Sequence, residues 1–121
     1  MKKYKLVKNT EGVVRKHSDE YFIKNYLTKD FNENFSLAVS ENKSGSHELT
    51  KSVASDRAYY FIEADAEFVV DGEEMNVASG DVLFIEKNTE YSFSGSFKAV
   101  LINIPAFGIE DDRNVNNKEQ K

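Results

Sequence analysis

The residues able to do chemistry are few and unevenly spread. The chain holds two histidines and no cysteine, so thiolate metal sites, cysteine nucleophiles and disulfides are excluded. Side chains alternate along a strand, so in Arg57-Ala58-Tyr59-Tyr60-Phe61-Ile62 one face carries Arg57, Tyr59 and Phe61. A guanidinium offers a planar fork for carboxylate or phosphate, and aromatic rings stack on a flat or sugar-like body. Equally, Arg57 is placed to pair with Asp56 or Glu63 at a rim, with Tyr59 a core aromatic. His47 lies in a segment that reads as an exposed loop, and His17 sits in the charged run Arg15-Lys16-His17-Ser18-Asp19 and reads as surface. Two histidines without a cysteine or a spaced carboxylate make no metal signature. Glu73-Glu74 and Glu110-Asp111-Asp112 read as solvated surface, and Glu86 and Glu90 flank a loop. There is no glycine-rich phosphate loop and no Ser-His-Asp order.

These residues sit in a chain of 121, the length of one domain, with 40% hydrophobic and 31% charged residues and a net charge of −5. That charge disfavours a broad nucleic-acid surface. The basic start, Met1 to Lys8, precedes no apolar run and is not expected to be a signal peptide. No stretch has the length of a membrane helix, so no membrane association is expected and the cytoplasm is the default compartment.

The elements that must position the candidates are short strands. Nine Phe and six Tyr suit them. Strands are expected at Tyr21 to Leu27, Phe35 to Ser40, Arg57 to Glu63, Ala66 to Val70, Met75 to Val77, Tyr91 to Phe93 and Phe97 to Ile104, with Val82 to Ile85 a buried run. Turns are expected at Glu41 to Ser46, Asp71-Gly72, Ser79-Gly80-Asp81 and Ser94-Gly95-Ser96, and Pro105 closes the last strand. This rhythm indicates an all-β sandwich or barrel. Residues 1–34 form a lead-in that adds strands, 35–107 the barrel, and 108–121 a polar tail expected to fray.

The block from Ser79 to Phe93 resembles the second motif of the cupin superfamily, G-x5-P-x-G-x2-H-x3-N. Gly80 opens it, and Glu86, Asn88, Tyr91 and Gly95 stand at the proline, glycine, histidine and asparagine positions. Asn88 replaces glycine acceptably because Asn tolerates left-handed backbone angles. The first motif, G-x5-H-x-H-x3-E-x6-G, fits without gaps from Gly45. Lys51 and Val53 then stand for its histidines, Arg57 for its glutamate and Ala64 for its closing glycine.

The resemblance implies a double-stranded β-helix, the jelly-roll barrel, whose three-His, one-Glu metal site has lost all four ligands. Neither metal nor other cofactor is then expected. It also implies that Arg57 and Tyr91 point into the barrel with Lys51 near them. The candidate ligand-binding residues are thus Lys51, Arg57, Tyr59 and Tyr91. The function expected is binding of a small anionic or sugar-like metabolite. Two alternatives stand beside it: a metal-independent isomerase, epimerase or lyase with Tyr91 as acid and Lys51 as base, and a structural or regulatory dimeric subunit. A homodimer is expected, with Tyr21 to Leu27 adding a strand to a partner's edge.

Overall fold

A computed structural model describes residues 4–106 and 112–114. Apart from one 3-10 turn at Asn9–Glu11, its regular elements are strands: β1 (Val13–Lys16), β2 (Tyr21–Leu27), β3 (Ser36–Asn42), β4 (Ser46–Ser52), β5 (Asp56–Val70), β6 (Glu73–Ala78), β7 (Val82–Ile85), β8 (Tyr91–Ile104) and β9 (Asp112–Asn114). They form one antiparallel sheet that folds over on itself. The long strands β5 and β8 pair along their whole lengths and pass through both layers. The first layer runs β1-β2-β3-β8-β5-β7, and the second runs β9-β4-β8-β5-β6. This is the expected all-β jelly-roll barrel.

Two devices bend the long strands. In β5 an extra residue between Phe61 and Glu63 makes a bulge. In β8 the bend falls at Gly95, whose φ is 99°. Each was expected to be two strands, because a bend inside a strand uses the same small polar residues as a turn between strands. The Asp71-Gly72 hairpin is as expected, with φ of 52° and 82° suiting a tight two-residue connection. Asn88 takes the left-handed angle foreseen for it, with φ 65°.

Aromatic rings from both layers fill the space between them. Phe61 and Phe97 meet edge to face at 5.6 Å, as do Phe93 and Phe97 at 5.0 Å, and Phe68 lies among them.

Other expectations need correction. The Val82–Ile85 run is not buried: Ile85 faces the core, while Val82 and Phe84 are 66% and 58% exposed. β3 runs on through Asn42, shortening the turn expected at Glu41 to Ser46. β2 has no free edge for a partner, because β1 and β3 take both sides. Within the tail, Asp112–Asn114 pairs with Thr50–Ser52 of β4. The rest of the 108–121 segment lies outside the described residues. Among the described residues no helix is long and apolar enough to cross a membrane.

Candidate functional site

Directly opposed residues of an antiparallel pair share a face, so the register shows which side chains enter the barrel. One inward row of the first layer reads Ser36, Asn103, Arg57, Ile85. Its polar members are all buried, and Arg57 is only 5% exposed. The Arg57 guanidinium donates from Nε to Asn103 Oδ1 at 2.7 Å. From Nη1 it donates across the barrel to the Tyr91 hydroxyl at 2.6 Å. That hydroxyl also bonds the Tyr59 hydroxyl at 3.0 Å. The contact joins the start of β5 in one layer to the start of β8 in the other.

Burial pushes the Tyr59 phenol well above its ordinary value of 10.0; the phenols of Tyr91 and Tyr21 add to the rise and the Arg57 guanidinium opposes it. The sign of the pH effect follows. Above about pH 10 the unfolded chain ionises this phenol while the folded chain holds its proton, so stability present at neutral pH falls as pH rises. Denaturant titrations between pH 9 and 12 should show a loss approaching about 1.4 kcal/mol per pH unit from this group. Tyr59→Phe should remove that slope.

A second cluster lies nearby on the inner faces of β2 and β4. Tyr21 is buried, and its hydroxyl accepts from Ser40 Oγ at 3.0 Å. His47 opposes Phe93 in the ladder and stacks on it at 4.8 Å with the planes 13° apart. The Tyr21 ring lies 5.0 Å from His47 and 5.2 Å from His17. His17 is held at the β1–β2 turn, where its backbone N–H donates to Tyr21 O and the Ser18 hydroxyl accepts from the N–H groups of Glu20 and Tyr21. A cavity of about 20 Å³, with room for one water-sized group, is lined by Arg15, His17, Asn25, Ser36, Arg57 and Asn103 among others.

Of the four residues named from the sequence, the structure brings together Arg57, Tyr59 and Tyr91 and sets Lys51 apart. Thr50 faces Tyr91 in the ladder, so Thr50 points inward and its neighbour Lys51 outward, opposite Arg113 of β9. The count from Gly45 misses a bulge. From His47 to Thr50 is three residues, but their partners Phe93 and Tyr91 are two apart. That extra residue turns His47 inward, contrary to its reading as an exposed loop residue. His17 is exposed as expected, yet its ring joins the cluster. Sequence reasoning also missed Tyr21, Ser40 and Asn103. For β4 the apolar alternation that marks strands is absent, because its inward residues His47, Thr50 and Ser52 are all polar or titratable. Asn103 carried a signal: it is two residues beyond Leu101 in a strand already recognised.

Asp56 and Glu63 oppose Ile104 and Lys98 in the ladder, and the Asp56 carboxylate accepts from the Lys87 backbone N–H at 2.9 Å. The residues gathered around Arg57 do not suit a divalent cation. The Arg57 guanidinium carries a positive charge and no lone pair to give, and it donates to the Tyr91 hydroxyl. Among the described residues no three of His, Asp and Glu gather into a metal-holding group.

Comparison with known proteins places this geometry in context. A family model described as ethanolamine utilisation protein EutQ matches residues 5–107. No curated protein matches the chain in sequence. Among solved structures, a variant of Streptomyces PAC13 with uridine is similar, with 23% identity over 93% of this chain and 90% of its own and a TM-score of 0.81. PAC13 is described as a nucleoside dehydratase. KdgF from Halomonas sp. shares 11% identity over 85% of this chain and 96% of its own, with a TM-score of 0.73. Oxalate decarboxylase from Bacillus subtilis shares 14% identity over 91% of this chain but 31% of its own, with a TM-score of 0.78. These likenesses establish the cupin fold.

Proposed function

The chain belongs to the EutQ family, and on that premise we propose that its barrel binds a small anionic or sugar-like metabolite without a metal. One observation carries the reading: Arg57 and Arg15 line the same polar cavity. Two guanidinium groups beside Asn25, Ser36 and Asn103 supply donors and positive charge to an oxygen of the ligand. The cavity admits a single small group, so the body of the ligand lies outside it, against the rings of His17, His47 and Tyr21. A flat or sugar-like body suits those rings.

A second reading, an acid–base enzyme, is favoured by the inward turn of His47. Lys51 is withdrawn as its base because it faces outward, and the imidazole of His47 takes that role, with Tyr91 as the acid. PAC13 supports this reading only by showing that a barrel of this fold is described as a dehydratase.

The test is a thermal-shift screen with carboxylates, phosphates, sugar acids and nucleosides. A ligand at a hundredfold its Kd stabilises the native state by about 2.7 kcal/mol, and at least one anion should raise Tm measurably. The best ligand is then followed for turnover in the wild type and in His47→Phe, which keeps the stack on Phe93 and removes the ring nitrogens. Conversion that His47→Phe abolishes, with affinity retained, selects the enzyme. Unchanged Tm with every compound at millimolar concentration overturns both readings.

A further inference from the structure

The outer side of β2 and β3 carries a groove that the lead-in chain helps to build. On β3, Ser36 and Ala38 line the polar cavity inside the barrel, so alternation turns Leu37 and Val39 outward. On β2, Asn25 and Leu27 oppose Ala38 and Leu37, so one extra residue stands between them. That bulge brings Tyr26 and Leu27 to the same outer side, where both line a cavity with Leu37 and Val39. Lys5 and Val7 of the lead-in supply a further wall. The space is about 370 Å³, within the range of roughly 300–1,000 Å³ usual for small-molecule sites. Its apolar walls, Val7, Leu27, Leu37 and Val39, are half-buried.

Beyond Tyr26 the chemistry changes. Tyr26 and Val39 also line a second hollow of about 780 Å³, whose charged residues are Lys16, Lys24, Lys43 and Lys98 against Asp19 and Glu41. Cations are thus in excess here, although the chain carries a net charge of −5. Lys16 pairs with Asp19 at 3.3 Å. Among the described residues Lys24, Lys43 and Lys98 form no ion pair. The ammonium groups of Lys24 and Lys43 stand instead over the Tyr26 and Phe22 rings, each 5.4 Å from the ring centre. Lys24 Nζ also donates to Asn9 Oδ1, which accepts from the Tyr26 hydroxyl at 3.2 Å. Those contacts hold Lys24 at the border of the two hollows. An ammonium carries three donors, so one hydrogen bond to Asn9 leaves it able to hold an anion as well.

We propose that this outer groove binds a small amphipathic anion, with its hydrocarbon body against Leu27, Leu37 and Val39 and its anionic head at Lys24. A wholly polar ligand would leave the apolar walls in water, and a neutral hydrocarbon would leave the ammonium groups without counter-charge. A molecule with both parts satisfies both. The groove lies on the opposite face of the sheet from the polar cavity, so the proposal stands independently of the reading given to the barrel.

Sodium octanoate is the probe, and methyl NMR of the purified full chain is the readout. Millimolar octanoate should shift the methyl signals of Leu27, Leu37 and Val39 and leave those of Leu101, which lines the cavity inside the barrel. Octylamine, cationic at neutral pH, should bind the wild type at least fivefold more weakly than octanoate. Lys24→Glu should weaken octanoate about fivefold and leave 1-octanol unchanged. Equal affinity for octanoate and octylamine overturns the proposal, and so does octanoate binding that is indifferent to Lys24→Glu. Shifts at Leu101 with none at Leu37 would put the anion in the barrel, favouring the reading given above and overturning this one. Silence at Leu37 with millimolar octanoate overturns it too. A response at Leu37 to anionic phospholipid vesicles alone would assign the face to a membrane and overturn it equally.

Discussion

Gly95→Ala should destabilise the barrel by about 2–6 kcal/mol, the sum of a backbone strain of about 1–3 kcal/mol and an overpacking cost of similar size. Domains of this kind are stable by only about 5–15 kcal/mol, so the variant should be largely unfolded at moderate urea or recovered only in aggregates. Both causes are local. The φ of 99° is unfavourable for a residue with a Cβ, and that Cβ would sit 2.7 Å from Asp65 O and 2.8 Å from Ala66 Cα. Those atoms are backbone of the paired strand and cannot swing aside. The Gly95 carbonyl also accepts from Asn42 Nδ2, so moving the residue disturbs the end of β3 as well. Gly80→Ala is the control. Its φ is 91° but a Cβ there meets nothing within 4 Å, so only the strain remains, about 1–3 kcal/mol. Urea titrations of the two variants beside the wild type check the difference, and equal losses would show that packing at Gly95 is unimportant.

Arg57→Met should cost about 2–4 kcal/mol and abolish anion-induced stabilisation. Methionine keeps much of the stem and removes the donors, so Asn103 Oδ1 and the Tyr91 oxygen, both buried, lose a charged hydrogen-bond partner. Arg57→Glu should be worse for binding, since a carboxylate repels the ligand the guanidinium attracts. Placement by resemblance alone suggests that this exchange spares the fold, because the motif that the segment resembles writes a glutamate there. The structure revises that expectation: the interior here is built around a cation, with acceptors aimed at it. Equilibrium unfolding and thermal shift measured on the same preparations separate the effects. A variant that loses stability yet still responds fully to anions would assign Arg57 to architecture alone.

The sequence made the strands legible wherever aromatic and β-branched residues alternate, as in Tyr21–Leu27 and along Arg57-Tyr59-Phe61. It made the connections legible where glycine or asparagine is needed for a positive φ, as at Gly72, Gly80 and Asn88. It misled where one chemical signal has two uses. Ser94-Gly95-Ser96 suits a bend as well as a turn, and β4 carries polar residues inward, so it lacks the apolar period of a core strand. The candidate site was legible in part for the same reason. Arg57, Tyr59 and Tyr91 lie on strands whose facing follows from regular alternation, whereas Lys51 and His47 lie across a bulge. A bulge is defined by the partner strand, and nothing in Ser46 to Ser52 alone announces it.

The passage of β5 and β8 through both layers bears on how such a barrel can diverge. Arg57, Tyr59, Tyr91 and Asn103 all belong to these two strands, whose register is fixed along their full lengths. The relative placement of the four therefore owes little to the β1–β2 turn at 17–20, which joins neither of these strands. Under the binding reading, insertions there would reshape the cavity lining at His17 and change what is admitted, while the polar floor stays as it is. Selectivity and the supporting network are separately mutable, so one inherited interior can serve a succession of different ligands.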